Sequence, residues 1–461
     1  MMSIKILGEL MGNFELYELN QSQEVVKLQC KYTLFKKIIN ILSSMTSEEE
    51  LDFEIMKDAF NKVVERNDCL RIKFIKKDKK LMQYFSSTQV FEDIPVLEFE
   101  TKEEQEKFIA KKRKKAIKYK KGVVVEPYFI KTYDNKYMVF LKICHLILDI
   151  YGINMIYKDL FEVYDALKNE KPLPPEPTKF EELVKKDLTK KHDEEFISKN
   201  REYFQDLLIS KPEPFYAGLH GEKNPIWQKQ RKKRKRAMKM FFINCDTKGY
   251  AHKIDKETCD KVMNYCKENS VSPANFLFYT ASITASKING NIKDMLPLEL
   301  CNCRGTMAEK NCAGTKVQSI GCYTHIEHND SFKDNFTDFC AKQNQLYRHV
   351  GFPDQDFEMM LHTIFRSSML ETYYYLTYSF IPFKMPKGME FNVYSNEKCA
   401  LPAYVAQLYN IDSGEITMAY DVQTKIISEE DVKSFHENYI KTINQVIEND
   451  EIKIKNIKLN N

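Results

Sequence analysis

The chain has 461 residues, which is enough for two domains or lobes that each bury a core. A hydrophobic fraction of 43% beside 30% charged residues describes a soluble globular protein, and no apolar run approaches the roughly 18 residues of a membrane helix. The 70 basic and 66 acidic residues leave a net charge of +4, which is too balanced to indicate nucleic-acid binding by itself.

The start of the chain and its cysteines bear on the compartment. The opening "MMSIKILGELMGNFELYELN" lacks the long apolar core and the small-residue cleavage site of a secretion signal. Twelve cysteines are scattered along the chain, and only Cys301 and Cys303 lie close together, without CxxC spacing. We therefore expect reduced thiols in a cytoplasmic protein.

The first third of the chain predicts a helix, a strand and a hairpin. Helical spacing of apolar residues in "SEEELDFEIMKDAFNKVVERNDCLRIKF" passes into a short strand at "LRIKFI". Two apolar runs around Asp134 and Asn135 in "VVVEPYFIKTYDNKYMVFLKICHLI" predict a hairpin whose second strand is buried. Pro127 should place the first strand at an edge or mark its beginning.

A helical pattern follows Gly152 and ends at the prolines of "NEKPLPPEPTKF". Its apolar face is Ile153, Ile156, Leu160, Val163 and Leu167. Another helical stretch reaches "YFQDLLIS", and a poorly patterned loop then ends in "QKQRKKRKRAMKMFFINCD". We predict an N-terminal lobe over 1–190, an inter-lobe helix and basic loop over 191–240, and a C-terminal lobe over 241–461.

The second half also mixes helices and strands. Two helical patterns lie on either side of Ser270–Pro273, and strand-like runs carry "DMLPLELCNCRG" and "SIGCYTHIEH". The tail reads as a strand, a loop and an amphipathic helix. The predicted fold class is therefore mixed α/β (α+β) in both halves.

The segment "KICHLILDIYGINMIYKDLF" places His145 four residues before Asp149, between a buried strand and a helix. A histidine at such a turn can take a proton from an amine or hydroxyl, which is worth roughly 10² to 10⁴ in rate. On spacing alone the structural interpretation is favoured, because HxxxD occurs by chance and an aspartate at a helix start ordinarily caps it.

Further segments lie around this pair in a fixed order: "YELNQSQ", "VVERNDCLRIKF", "SPANFLFYTASITASKI", "SIGCYTHIEH" and the closing strand and helix. Together with "CHLILDI" they resemble the condensation domains of nonribosomal peptide synthetases over nearly the whole chain. "CHLILDI" is similar to the HHxxxDG signature of that family, which other acyltransferases of the chloramphenicol acetyltransferase-like fold share as HxxxD. Gln23 stands at the glutamine of the opening motif, Asn67 where histidine is usual in RHxxLRxxF, Gly321 at the glycine of VGxFxNT and His325 at its asparagine.

The resemblance implies two chloramphenicol acetyltransferase-like lobes in a V, with the active site in a tunnel between them. An acyl group would arrive as a thioester on the phosphopantetheine of an acyl or peptidyl carrier protein, supplied in trans, and no cofactor would be bound. An amine or alcohol acceptor would enter from the other face. His145 would be the catalytic base or a hydrogen-bond partner of the nucleophile. Asp149 would support it by pairing with an arginine of the second lobe. Arg304 in "LCNCRG" is the candidate for that arginine, and the alternative that Arg304 is only a cation of a surface loop has equal weight.

Two positions depart from the signature. Cys144 replaces its first histidine, and a buried cysteine would suit a packing role there. Ile150 replaces its glycine and would fill space needed by the donor arm, unless the turn is rebuilt with Gly152 in support of the site. Cys144, Ile150, Tyr323 and His325 are predicted to line the tunnel or contact substrate. We favour an active enzyme over a blocked, non-catalytic relative.

The run "RKKRKR" from Arg231 to Arg236 leaves three interpretations open. A solvated loop is favoured, attraction of an acidic carrier protein is second, and nucleic acid is third. "KKRKKAIKYKK" from Lys111 is treated alike. His325 and His328 lack a third metal ligand, so no metal site is expected. The cluster "ETYYYLTYSFIPF" is typical of a core, although tyrosines lining a tunnel would suit an acceptor.

The first functional hypothesis is a free-standing condensation-type acyltransferase that forms an amide or an ester. The second is a catalytically inactive condensation-like module that binds a carrier protein and recruits a partner. The third, a nucleic-acid-binding protein, depends on the basic run alone. We expect a monomer that has no membrane association.

Overall fold

The computed structural model describes residues 14–32, 35–233, 235–384 and 388–460. Residues 1–13, most of the opening segment for which no secretion signal is predicted, therefore lie outside the described residues. Within the described ranges, none of the helices combines the length and the apolar character required to cross a bilayer.

The described residues form thirteen α-helices: α1 (Gln21–Tyr32), α2 (Phe53–Arg66), α3 (Lys102–Lys114), α4 (Ile150–Lys168), α5 (Phe180–Lys191), α6 (Glu194–Ile209), α7 (Pro225–Arg231), α8 (Lys256–Glu268), α9 (Pro273–Ile288), α10 (Met307–Lys310), α11 (Phe332–Leu346), α12 (Asp354–Ile364) and α13 (Glu429–Glu448).

The same residues form eighteen strands: β1 (Tyr17–Glu18), β2 (Asn40–Ser47), β3 (Ile72–Lys77), β4 (Lys80–Phe85), β5 (Val96–Glu98), β6 (Val125–Lys131), β7 (Tyr137–Cys144), β8 (Met238–Lys239), β9 (Thr247–Ile254), β10 (Asp294–Met295), β11 (Leu298–Cys301), β12 (Gln318–Gly321), β13 (Thr324–His325), β14 (Glu371–Thr372), β15 (Thr377–Phe383), β16 (Met389–Tyr394), β17 (Ala403–Asn410) and β18 (Ile416–Gln423).

The predicted hairpin is confirmed as β6 and β7, which pair antiparallel around a turn at 132–136. β7 lies at the centre of a five-stranded sheet in the order β16-β2-β7-β6-β5, and all but the first of its residues are buried. Both faces of this sheet are covered, because one packs on the main core of the first half and the other on a smaller cluster that includes Ile109 and Phe140. This explains the nearly continuous apolar run of β7. Pro127 lies where β6 has no neighbour on its outer side, since β5 begins opposite Phe129.

A second sheet of six strands has the order β12-β11-β15-β17-β18-β9. Between β15 and β17 the chain leaves this sheet. There β16 pairs antiparallel with β2 of the first sheet, from Met389 opposite Ser47 to Tyr394 opposite Leu42. The two sheets are therefore joined by a strand as well as by side chains. Sequence patterning gave no indication of this exchange, because strand pairing at a separation of some hundreds of residues leaves no local period.

Two large hydrophobic clusters account for most of the core. The first contains residues between 17 and 184 together with Cys312 and Ala313, and the second contains residues between 204 and 457. Cys312 and Ala313 thus belong to the second half by sequence and to the first half by packing. The boundaries predicted for the lobes stay a prediction.

The helix predicted after Gly152 begins two residues earlier, at Ile150, because Asp149 caps its N-terminus. Four residues of its predicted apolar face are buried, whereas the fifth, Leu167, is 40% exposed. Leu167 lies in the last turn of the helix, which ends at Lys168. The single helical stretch predicted up to "YFQDLLIS" is divided into α5 and α6, since Asp193 caps a new helix by accepting from Phe196 N at 3.0 Å.

Glu299 is enclosed in the second core, and none of the described lysines or arginines forms an ion pair with it. Glu299, on β11, is 7% exposed, and Tyr347 Oη donates to its Oε1 at 2.9 Å while Gln343 Nε2 donates to its Oε2. Burial raises the pKa of Glu299 to about 7, although these donors and Cys322 oppose the shift. The carboxyl therefore prefers its neutral form inside this core.

Replacing Glu299 with Gln should remove a pH dependence of the free energy of unfolding. Because the folded pKa of about 7 exceeds the ordinary value of 4.5, the contribution of Glu299 is fully present below about pH 4.5 and is lost as the pH rises through 7. Between pH 5 and pH 8 we expect E299Q to gain about 2 to 3 kcal/mol relative to the wild type in urea unfolding. The exposed Glu437→Gln is the matched control, and parallel pH curves for E299Q and the wild type would contradict the prediction.

Candidate functional site

The site begins at the turn between β7 and α4. His145 N donates to Ile39 O at 2.8 Å, and Ile147 N donates to Cys144 O at 3.0 Å, so the strand closes into a turn directly after Cys144. Asp149 then caps α4 by accepting from Gly152 N at 2.8 Å. The HxxxD spacing thus places a half-buried histidine and a buried aspartate at the two ends of one short turn.

The tautomer of His145 follows from one hydrogen bond. Its Nδ1 lies 2.9 Å from the backbone oxygen of Leu148, and a carbonyl can only accept, so Nδ1 carries the hydrogen. In the neutral ring Nε2 is then the basic nitrogen. Burial lowers the pKa of His145 below its ordinary value, against the weaker opposing effects of Leu148 O and Asp149. The imidazole is therefore neutral near pH 7, with its lone pair on Nε2.

Asp149 is held by five hydrogen bonds. Arg304 forms a bidentate ion pair with it, from Nη1 to Oδ2 at 3.0 Å and from Nη2 to Oδ1 at 3.1 Å. Backbone N–H groups of Gly152, Lys316 and Val317 donate at 2.8, 2.8 and 3.0 Å. The carboxylate and the guanidinium are both buried.

The electrostatics of this pair follow from its geometry. Burial alone would raise the pKa of Asp149, but the charge and hydrogen bonds of Arg304 and the backbone donors outweigh it and hold the pKa below its ordinary value. Arg304 also donates from Nη2 to Gly314 O at 2.7 Å, and its guanidinium lies 4.5 Å from the ring of Tyr151. Asp149 therefore stays ionised and acts as an anchor, whereas His145 is the group free to exchange a proton.

Residues 312–317 form a crossing segment from the second half of the chain that packs on this turn. Thr315 Oγ1 donates to His145 O at 2.8 Å, and Lys316 Nζ pairs with Asp187 of α5 at 2.7 Å. Sequence reasoning missed Thr315, Lys316 and Val317, because two of them contribute backbone N–H groups that no residue type marks. Of the second-half residues that bind Asp149, the sequence motifs predicted Arg304 and neither Lys316 nor Val317.

Gly152 allows α4 to pack closely on the crossing segment. A Cβ added to Gly152 would lie 2.9 Å from the backbone N and O of Gly314 and from Leu148 Cδ2. Gly152 lies two residues after the signature glycine position. Its role is to let α4 pack in contact with the crossing segment. Ile150, at the signature position, packs partly buried against the first core, and Cys144 is fully buried in that core.

The glutamine of the opening motif supports the same turn from the other side. Gln23, in the first turn of α1, is fully buried and donates from Nε2 to Leu146 O at 2.9 Å, while its Oε1 accepts from Asn20 N at 2.9 Å. Asn20 Nδ2 in turn donates to Asp187 Oδ2 at 3.1 Å. The turn that carries His145 is thus fixed by Ile39 directly before β2, by α1 and by the crossing segment.

A cavity of about 360 Å³ opens on the other side of α1, and neither His145 nor Ile150 lines it. Val25 and Leu28 of α1 form one wall, and Ile320 and Gly321 of β12 form part of another. α1 therefore separates the histidine turn from this cavity.

The other sequence candidates lie elsewhere. Tyr323 is half-buried and donates from Oη to Pro212 O at 2.8 Å. His325 is exposed and pairs with Asp294 at 2.7 Å, and neither it nor Tyr323 lines the cavity. His328 is buried beside Ser286, so the two histidines do not share a face. No group of three or more potential metal ligands occurs in the described part of the chain.

The basic run is partly neutralised by nearby carboxylates. Arg234 lies outside the described residues, and three of the five other cations form ion pairs: Arg231 with Glu222, Lys235 with Glu371 and Arg236 with Glu213. Lys232 and Lys233 remain exposed. A polycationic site for nucleic acid would need most of these charges free, so the geometry disfavours it.

Comparisons with known proteins agree on one family. The model of the condensation domain matches residues 14–461. One of the subunits of plipastatin synthase from Bacillus subtilis (strain 168) is 18% identical over 433 residues, which is 92% of this chain and 16% of that protein. The chain thus spans about a sixth of the length of this relative.

Solved structures show the same architecture. A mutant of the starter condensation domain of rhizomide synthetase, in complex with C8-CoA and Leu-SNAC, has a TM-score of 0.79 at 14% identity, covering 97% of this chain and 98% of that one. The condensation domain of the Monacolin K polyketide synthase has a TM-score of 0.79 at 12% identity, covering 96% of this chain and 100% of that one. The fold is therefore the two-lobe chloramphenicol acetyltransferase-like fold, and the family match over nearly the whole sequence shows that this chain belongs to the condensation domain family.

Proposed function

We propose that the protein is an acyltransferase that joins an acyl thioester to an amine, or to a hydroxyl, with His145 as the catalytic base. The observation that carries the proposal is the fixed tautomer of His145. Leu148 O holds the hydrogen on Nδ1, so a neutral imidazole has its basic nitrogen available beside a turn that three elements immobilise.

The reaction would run in two proton-balanced steps. The amine nitrogen attacks the thioester carbonyl carbon and gives a proton to Nε2 of His145 as the new C–N bond forms. The tetrahedral intermediate then breaks its C–S bond, the thiolate leaves, and the imidazolium returns the proton to the sulfur. A thioester is already activated, so alignment of the two reactants supplies several kcal/mol of the barrier reduction.

Condensation domains act on substrates carried by the phosphopantetheine of a partner protein and need no cofactor of their own. For this chain we propose a carrier protein supplied in trans as the donor. Exposed lysines such as Lys232 and Lys233 could attract an acidic carrier and raise its association rate at low ionic strength. If the run is only a solvated loop, it has no partner. Titration with a carrier protein at different salt concentrations distinguishes the two interpretations, because only attraction of a carrier makes binding depend on salt.

The alternative is a non-catalytic module, and two observations favour it. Cys144 occupies the place of the first signature histidine, and the branched Ile150 occupies the place of the glycine. The hydrogen bonds that fix the tautomer of His145 and hold its turn argue against a non-catalytic module, because such a module would not require them.

Replacing His145 with Ala should lower the rate of acyl transfer about 10² to 10⁴-fold, because proton transfer to water would replace the positioned base. The measurement is single-turnover transfer of an octanoyl group from a loaded carrier protein, or from an octanoyl N-acetylcysteamine thioester, to an amine. The exposed His192→Ala is the control. Because burial lowers the pKa of His145, the loss of wild-type rate that protonation of this base causes should set in below pH 6.5, when the concentration of unprotonated amine is held constant. Equal rates for H145A and the wild type would remove His145 as the base.

The ion pair between Asp149 and Arg304 should show strong energetic coupling. Asp149→Asn or Arg304→Met leaves its partner buried and uncompensated, which should cost about 3 to 5 kcal/mol each in urea unfolding. The double variant should cost at least about 1 kcal/mol less than the sum. The exposed Asp338→Asn, which breaks a pair on α11, should cost less than about 1 kcal/mol. Additive costs for D149N and R304M would show that the pair does not act as a unit.

A further inference from the structure

The cavity beside α1 is enclosed by both halves of the chain. It measures about 360 Å³, within the range of small-molecule sites. Its walls are largely apolar and aromatic: Val25, Leu28, Phe204, Phe352, Phe357 and Tyr374. Two methionines that contribute to it, Met359 and Met369, are 61% and 45% exposed, so this side faces solvent.

The charges that line the cavity have one sign. Asp354, Asp356, Glu358 and Glu371 are among the lining residues, whereas no described lining residue is lysine or arginine. Two of the four carboxylates have cationic partners outside the cavity: Asp356 pairs with Arg201 at 2.7 Å, and Glu371 pairs with Lys235. Asp354 and Glu358 therefore carry the negative character of the cavity.

Asp354 and Glu358 lie four residues apart on α12, so they project from the same face of the helix. Ser319 Oγ donates to Asp354 Oδ2, and the hydroxyl of Tyr374 forms a hydrogen bond with Glu358. A further contact of Glu358 is His362 Nε2 at 3.3 Å. These are polar partners, and no lysine or arginine compensates the pair within the described residues.

An uncompensated pair of neighbouring carboxyls in apolar surroundings is costly. Burial raises the pKa of Asp354 to about 7, and the charge of Glu358 adds to the shift, while Ser319 opposes it. A cation placed between the two carboxyls would remove this cost, and an apolar body attached to it would fill the aromatic part of the cavity. An anionic or purely apolar ligand would leave the cost in place.

We propose that this cavity binds an amphipathic organic cation, an amine with an apolar body, whose charged end lies between Asp354 and Glu358. α1 lies between the cavity and the histidine turn, since Gln23 bonds to Leu146 O and Val25 and Leu28 line the cavity. The cavity is therefore a second site, separate from the turn that carries His145. Binding at this cavity does not depend on the proposed acyl transfer.

Binding should depend on pH through Asp354. A bound cation favours the ionised carboxylate, so affinity should rise as the pH passes from 6 to 8. The other groups that face it are Ser319, Tyr374 and Glu358, and the remaining charged or titratable lining residues are Asp356, Glu371 and His349. Burial lowers the pKa of His349 below its ordinary value.

The test uses three probes with one stem: 4-phenylbutylamine, 4-phenylbutanol and 4-phenylbutyrate. Calorimetric titration of the full chain at pH 8 should give the tightest binding for the amine, at least tenfold weaker binding for the alcohol and the weakest for the carboxylate. Equal affinities for the three probes, or the tightest binding for the carboxylate, would overturn the proposal.

Variants locate the binding. Asp354→Asn and Glu358→Gln, singly and together, should reduce the affinity for the amine toward that of the alcohol and leave the alcohol unchanged. Asp338→Asn, an exposed carboxylate on α11, should change nothing. Thermal unfolding shows whether each variant is folded. If the double variant is not folded, the two single variants provide the test. An unchanged preference for the amine in folded D354N and E358Q would also overturn the proposal.

Binding and catalysis can be separated in the same experiment. H145A should bind the amine probe as the wild type does, because His145 does not line the cavity. Amine binding without acyl transfer by the wild type would sink the proposed function and leave the cation site standing.

Discussion

The bidentate pair between Asp149 and Arg304 is the interaction on which the candidate site depends. The carboxylate joins the N-terminus of α4, the loop after β11 and the backbone of the crossing segment through five hydrogen bonds. Removing the carboxylate of Asp149 would leave a buried guanidinium and three N–H groups without their acceptor. A buried ion pair adds little net stability compared with apolar packing, so its value here lies in fixing one arrangement of several segments.

The connection between the two halves of the chain is reinforced in three independent ways. β16 leaves the second half to pair with β2, Cys312 and Ala313 pack in the first core, and Gly152 lets α4 touch the backbone of Gly314. Each contact is made by backbone or by small side chains, which tolerate little adjustment. His145 is therefore positioned by the junction itself, because Thr315 from the crossing segment bonds to its carbonyl oxygen.

Local periodicity and ordered motifs made much of the fold predictable. The β6–β7 hairpin, α4 and the paired helices around Ser270 follow from patterns that a few neighbouring residues carry. The sequence also led to Arg304 through its place after a second-half strand. It could not lead to the N–H groups of Lys316 and Val317, because backbone donors have no residue signature. Asp354 and Glu358 escaped notice for another reason, since carboxyls at that spacing look like an ordinary solvated helix face.

Asp149 and Asp354 show how one residue type is adapted to two tasks. Desolvation acts on both, and it would raise the pKa of each. At Asp149 the protein supplies a guanidinium and three backbone donors, so the charge is permanent and the carboxylate cannot take part in proton exchange. At Asp354 it supplies a hydroxyl and a second carboxyl, so the site lacks the positive charge that would complete it. A carboxylate whose partner is built in holds structure together, whereas one whose partner is missing is complementary to a cation that comes from outside.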